Sequence, residues 1–283
     1  MFKRQNPRMR KLRFRRPQLE RPAVNRIIPN MLTVAALCAG MTAIRFALAG
    51  EWRNAALSVI VAAVLDGLDG RIARLLNATS KFGAELDSLA DFISFGVAPA
   101  MLMYIWTMNQ LGGLGWAVCL LFAVCMALRL ARFNTALGDP NPPPWAKNYF
   151  TGVPAPAAAL LGLLPLIATF EFGPGLFDRP WFNFITLALV AGLMVSRIPT
   201  FSMKKVHLPP SMMMPALIAA ALLAAALTSA PWLTALVLGV VYLGSIPFAV
   251  VTQRRARASA EMMPMPMPSL PAGGDVQHAE ERK

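Results

Sequence analysis

The sequence predicts an all-α, polytopic membrane bundle of about eight transmembrane helices, with both termini in the cytoplasm. Three observations carry this reading. Of 283 residues, 56% are apolar and only 14% charged, against roughly 25% charged in a soluble domain. The apolar residues come in long blocks and not in amphipathic periods. Lys and Arg alternate in density from one connection to the next, which is the positive-inside pattern.

Residues 1–26 form a basic arm, with Lys3, Arg4, Arg8, Arg10, Lys11, Arg13, Arg15, Arg16, Arg21 and Arg26 against one acid, Glu20. Parts of it are expected to lie as a helix on the membrane surface. The transmembrane body runs over 27–252. Its first apolar block, 27–49, is interrupted only by Arg45, and further blocks cover about 55–76, 82–106, 114–128, 153–170, 181–195, 212–227 and 233–251. Several reach the roughly 20 residues a helix needs to cross a bilayer, and the shorter ones do so with their flanking turns. Between the fourth and fifth blocks, residues 138–145 (Gly-Asp-Pro-Asn-Pro-Pro-Pro-Trp) predict a loop of fixed, extended backbone. Residues 253–283, where Met and Pro alternate from Met263 to Pro268, are expected to form a disordered cytoplasmic tail.

With the arm taken as cytoplasmic, the connections on its side carry Arg71, Arg74 and Lys81, then Arg132 and Lys147, then Arg197, Lys204 and Lys205. Arg254, Arg255 and Arg257 follow in the tail, while the opposite side offers only Arg53, Arg179 and Arg45. The net charge of +13 is therefore a topology signal and a source of attraction to anionic lipid head groups. Because this charge is juxtamembrane, no nucleic-acid partner is expected. The arm lacks the Ser enrichment of a transit peptide, so a bacterial inner membrane is the expected location. Cys38, Cys119 and Cys125 have no metal-ligand spacing and read as packing residues. His207 and His278 lie far apart, which excludes a histidine-based centre.

The chemistry lies where the second block ends and the third begins. Asp66, Asp69, Gly70 and Ala73 fall at i, i+3, i+4 and i+7, one face of a helix; Gly83, Asp87 and Asp91 are spaced by four and share another. A short connection makes the two helices antiparallel neighbours, so the acidic faces can meet. Each carboxylate in an apolar span costs about 2.5–3.5 kcal/mol at mid-depth, so four require compensation. A pair of divalent cations supplies it, and oxygen-only ligands suit hard ions such as Mg²⁺ or Mn²⁺. The glycines let a bulky ligand approach the backbone, and Arg74 and Lys81 at the mouth are placed to meet phosphate oxygens. The competing readings are interhelical ion pairs with Arg71 and Arg74, or an ion-translocating acid cluster.

The run Asp66-Gly-Leu-Asp69-Gly70-Arg-Ile-Ala73-Arg74, eight residues, then Gly83-Ala-Glu-Leu-Asp87-Ser-Leu-Ala-Asp91 resembles the complete signature of the CDP-alcohol phosphotransferase family. The resemblance implies that Asp66, Asp69 and Asp87 bind two divalent metals, that Asp91 joins them and is the catalytic base, and that Gly70, Ala73, Arg74 and Gly83 border the CDP moiety; Lys81 is expected there from its place at the mouth. The segments Ile28-Pro29-Asn30-Met31-Leu32-Thr33, Asp91 through Pro99-Ala100, Arg129-Leu-Ala-Arg132-Phe133-Asn134 and Phe150-Thr-Gly152-Val-Pro154-Ala-Pro156 are similar to its phosphatidylserine synthase branch. That branch implies transfer of a phosphatidyl group from CDP-diacylglycerol to L-serine with release of CMP, at a site facing the cytoplasm, in a homodimer. Serine brings a carboxylate, so a fixed cation is expected beside it: Arg129 and Arg132 are the candidates, with Lys204 or Lys205 behind them and Ser94 and Asn134 completing the pocket. Glycerol 3-phosphate, inositol phosphate or choline are the rival acceptors, and a transporter that kept the fold is the rival outside the enzyme class.

Overall fold

The structure, a computed structural model, describes residues 24–78, 80–137, 149–196, 199–201 and 213–261. Most of the basic arm, the proline-rich loop with Lys147, Arg197, Lys204, Lys205, His207 and the Met/Pro run with His278 lie outside the described residues.

Helix α1 (Val24–Leu48) carries Pro29 near its start, where the backbone bond a proline deletes falls in the opening turns. It ends in a turn through Gly50 at φ +74°, with Glu51 N–H donating to Phe46 O at 2.9 Å. Such a left-handed residue after a helix favours glycine. Helix α2 (Trp52–Leu75) returns antiparallel along α1. A second reversal passes through Asn77 at φ +49°, a conformation asparagine tolerates better than most residues. Helix α3 (Lys81–Asp91) is capped by Ser80, whose Oγ accepts from Gly83 N–H at 3.0 Å.

Directly after Asp91 the ladder loosens into a π-helical turn, Phe92–Val97, before α4 (Ala98–Trp106) continues the rod. Pro99 explains the local change, since it has no N–H to offer the carbonyl of Phe95, and Ala98 N–H instead reaches Ile93 O. Single π turns inside helices often mark functional sites. Here the turn is gripped by α1: Ser94 Oγ donates to Ala36 O at 3.2 Å. A Cβ on Gly40 would come within 2.7 Å of the Ser94 Cα, so only glycine permits this approach.

A short 3₁₀ turn, Met108–Leu111, leads to α5 (Gly113–Leu137). Helix α6 (Ala155–Phe172) is central, buried continuously from Leu161 to Ala168, and α7 (Pro180–Val195) packs on α5 and α6. Helices α8 (Met213–Ser229) and α9 (Pro231–Glu261) follow. The one departure from an all-helical chain among the described residues is a short antiparallel ladder of β1 (Tyr149–Thr151) and β2 (Pro199–Phe201), with Phe150 opposite Thr200.

Small side chains line the α1–α2 interior (Ala43, Ala47, Ala55, Ala56, Ala62), while large apolar ones such as Leu57, Val64, Leu120, Val124 and Ile185 stand on the outside. Small interfacial residues let helices pack closely in lipid, and an exterior this apolar would be an aggregation liability in water. Among the described residues, four helices are long and apolar enough to cross a membrane: Ile27–Leu48, Lys81–Trp106, Gly113–Thr135 and Ala155–Phe172. Pro180–Val195, Met213–Ser229 and Pro231–Ile246 are shorter apolar helices. The 24-residue α2 is about 36 Å long, but it carries Arg53 at one end and Asp66, Asp69, Arg71 and Arg74 at the other.

One boundary moves. Helix α9 runs to Glu261, so residues 253–261 are helical and not part of a disordered tail. The segment after Val251 (Thr-Gln-Arg-Arg-Ala-Arg-Ala-Ser-Ala-Glu) is rich in strong helix formers, and the first proline beyond it is Pro264.

Candidate active site

The helical period brings the acids together as their spacing predicts. Helix α2 presents Asp66 and Asp69 one turn apart, and α3 presents Asp87 from the facing helix. One carboxylate oxygen from each of these three lies within 4.8 Å of the others. Asp69 is only 4% exposed, and Asp66 and Asp87 are half-buried. The Asp91 carboxyl, one turn beyond Asp87, is in hydrogen-bonding contact with that of Asp66. Asp91 is thus at the edge of the cluster, immediately before the π turn.

Two unit charges 4.8 Å apart repel by roughly 3.5 kcal/mol at an effective dielectric constant of 20. Three carboxylates converging from two helices therefore destabilise the fold unless positive charge is placed between them. The donor set is oxygen only, which suits a hard divalent cation. The residues present fit such an ion, with Asp66, Asp69 and Asp87 able to hold it. Ion pairing with the neighbouring arginines gains no support: Arg71 and Arg74 are exposed, and Arg74 Nε donates to its own helix, at Gly70 O, 2.8 Å away.

The two glycines of the acidic motif differ. A Cβ on Gly70 would meet nothing within 4 Å, leaving an open face for a ligand. A Cβ on Gly83 would stand 3.0 Å from Asn30 Oδ1 and 3.1 Å from Ser80 Oγ, so its bareness first admits a side chain of α1. Ala73 is half-buried beside Gly70, and Lys81 is exposed in the first turn of α3.

Of the four described residues expected around an acceptor carboxylate, the structure brings one to the acids. Arg129 is 9% exposed, its Nε donates to Val153 O, and its guanidinium is within electrostatic reach of Asp91 and Asp66. Arg132 turns elsewhere: Nη1 donates to Val195 O at 2.8 Å, and Nη2 to Met194 O and Ser196 O at 3.3 and 3.2 Å. It clasps the last carbonyls of α7, which have no partner within their own helix. Ser94 is buried with its hydroxyl turned to α1. The exposed Asn134 donates from Nδ2 to Ser88 Oγ at 2.8 Å, tying α5 to α3.

Two polar residues of α1 that no spacing rule singles out complete the site. Thr33 is 5% exposed and its Oγ1 donates to Asp69 Oδ2 at 2.6 Å. Asn30, one turn earlier, faces Gly83. The available signal was two polar side chains one turn apart at the end of an otherwise apolar block.

Comparison with known proteins gives the family. A sequence profile described as CDP-alcohol phosphatidyltransferase matches residues 26–200, which span α1 to α7 and every acid of the cluster. A second, CDP-alcohol phosphatidyltransferase 2, matches residues 211–247 in α8 and α9, where the sequence alone offers only featureless apolar helices. A protein of Mycobacterium leprae (strain TN) named CDP-diacylglycerol–serine O-phosphatidyltransferase is 43% identical over 248 residues, covering 87% of this chain and 82% of the relative. One of the same name from Mycobacterium tuberculosis (strain H37Rv) is 43% identical over 241 residues, 84% of this chain and 83% of the relative. A third, from Helicobacter pylori (strain 26695), is 41% identical over 182 residues, 64% of this chain and 74% of the relative. With the first profile covering more than half of the sequence and these relatives aligned along so much of it, the chain belongs to the CDP-alcohol phosphatidyltransferase family.

Proposed function

We propose that this protein is a metal-dependent phosphatidylserine synthase that transfers the phosphatidyl group of CDP-diacylglycerol to L-serine and releases CMP. The observation that carries the reading is the meeting of Asp66, Asp69 and Asp87 across two helices, with Asp91 and the buried Arg129 beside them. The shared name of relatives 43% identical over most of the chain supports serine as the acceptor.

In this proposal Asp66, Asp69 and Asp87, joined by Asp91, hold two Mg²⁺ or Mn²⁺ ions. Bound there, the ions would neutralise the diphosphate and the charge developing on the attacking and leaving oxygens. The open face at Gly70 and Ala73 receives the CDP moiety, with Gly83 across from it, and Arg74 and Lys81 meet phosphate oxygens at the mouth. Asp91 takes the proton of the serine hydroxyl. The hydroxyl oxygen attacks the phosphorus that carries diacylglycerol, and the phosphorus–oxygen bond to CMP breaks. Arg129 holds the serine carboxylate. Arg132, Ser94 and Asn134 contribute by fixing the helices around it, which is the role their contacts support.

The same proposal places eight spans in a bacterial inner membrane, both termini and the site on the cytoplasmic side. It also includes a homodimer, whose close packing the many small residues of these helices permit. Purified protein given CDP-diacylglycerol, Mn²⁺ and a panel of alcohols is expected to make phosphatidylserine and CMP from serine, and to stop when metal is chelated. A lipid product from glycerol 3-phosphate or inositol phosphate alone would reassign the acceptor. Turnover that persists in chelator would remove the metal. Arg129→Lys keeps the charge but not the planar fork, so the KM for serine is expected to rise about tenfold or more, matching the roughly 1.5–3 kcal/mol of a charged hydrogen bond. An unchanged KM would take Arg129 out of the acceptor site.

A further inference from the structure

We infer that Thr33 of α1 is a positioning residue for the metal ligand Asp69, setting the orientation of that carboxylate and with it the affinity of the site for its cation. The inference rests on the proposed metal centre and extends it to a helix outside the acidic motif. Asp69 is the most buried of the three clustered acids, and a carboxylate can rotate about its last bond unless something holds one oxygen. Thr33 Oγ1 does so at 2.6 Å, the length of a strong hydrogen bond to a carboxylate.

The hydroxyl is itself held. Thr33 Oγ1 also lies 3.1 Å from Pro29 O, one turn back in α1, in the helical back-bonding geometry that selects a threonine rotamer. A hydroxyl has one proton to give, and the shorter contact, to the carboxylate, receives it. The branched side chain, buried to 5% exposure, has no room to swing away. Helix α1 is also fixed against the rest of the site: Asn30 stands against Gly83, and Ala36 and Gly40 stand against Ser94. Asn30, Thr33, Ala36 and Gly40 follow the helical period, so one stripe of α1 serves as the wall on which both acidic helices rest.

Partners that orient a metal ligand typically carry 10–100-fold in metal affinity. The test is Mn²⁺ binding to purified, substrate-free protein, followed by electron paramagnetic resonance or calorimetry. Thr33→Val, equal in shape but without the hydroxyl, is expected to weaken Mn²⁺ binding by about 10–100-fold and to raise the Mn²⁺ needed for half-maximal turnover in parallel, with the KM for serine unmoved. Thr33→Ser, which keeps the donor, is expected to bind Mn²⁺ within about threefold of the native protein. Native-like Mn²⁺ affinity in Thr33→Val overturns the inference while leaving the metal centre standing. Equal weakening in Thr33→Ser overturns it too, since packing and not the hydroxyl would then be responsible. If Thr33→Val does not fold, Thr33→Ala takes its place in the same comparison. A native protein that binds no Mn²⁺ sinks the metal centre and this inference together.

Discussion

Asp91→Asn is expected to lower kcat by about 10²–10⁴-fold, the usual contribution of a positioned general base, while Mn²⁺ still binds. Asparagine keeps the shape and one acceptor oxygen but cannot take a proton from an alcohol. The separation of the two effects follows from where Asp91 sits. The three carboxylates that converge within 4.8 Å are Asp66, Asp69 and Asp87, and Asp91 touches the group through Asp66. Removing its charge therefore takes away an edge and not the centre. Its direction is set by backbone: it is the last residue of α3, and the π turn that follows is pinned to α1 by the Ser94–Ala36 bond and the close pass at Gly40. The measurement is kcat at saturating CDP-diacylglycerol, serine and Mn²⁺, beside a direct Mn²⁺ titration. A kcat within fivefold of native would place the base elsewhere. Loss of Mn²⁺ binding as severe as that of a central carboxylate would make Asp91 a ligand before it is a base.

The acidic cluster was legible because it depends on one number, the helical period. Spacings of three and four put Asp66 with Asp69 and Asp87 with Asp91, and a connection too short for any other arrangement turned the faces toward each other. Charge alternation and block length gave the helices themselves, although α2 hides its length behind its own functional charges. The acceptor pocket was not legible in the same way. Arg129 and Arg132 are three residues apart on one helix, and nothing local says which comes within electrostatic reach of the acids and which is spent on the α7 carbonyls. That choice is made by partners distant in sequence. Gly152 at φ +82°, where a Cβ would stand 2.6 Å from Met194 O and 3.2 Å from Arg132 Nη2, lets the chain pass close to the end of α7, and the β1–β2 ladder closes over the same place. Arg132 is thereby committed to the α7 carbonyls. Ser94 turns to α1 for a related reason: it lies inside the π turn, where side chains shift around the rod, so spacing from Asp91 does not tell which way it faces. Thr33 required the rotation of α1 about its axis, which an apolar block with two polar residues does not supply by itself.

Asp87→Asn is expected to move stability in opposite directions with and without metal. Asp87 is the one member of the cluster supplied by α3; the other two come from α2. In metal-free protein its carboxylate faces two others across the interface, each pair costing roughly 3.5 kcal/mol at 4.8 Å when both are charged and the effective dielectric constant is 20. Asparagine relieves that repulsion with almost no change in volume, so the melting temperature in chelator is expected to rise. In Mn²⁺ the order reverses. A ligand at 100 times its Kd stabilises the native state by about 2.7 kcal/mol, and the variant, having lost the carboxylate that joins the two helices through the ion, gains little of it. Turnover falls as well, by at least about 10²-fold, since the charge stabilisation a metal supplies in such displacements is worth several kcal/mol. Thermal unfolding of native and variant protein in detergent, each with chelator and with Mn²⁺, gives four melting temperatures. The expected pattern is a crossing, the variant higher in chelator and lower in Mn²⁺. Parallel shifts, with Mn²⁺ raising both proteins equally, would mean that the ion is held without Asp87 and that the facing of α2 and α3 is not what holds it.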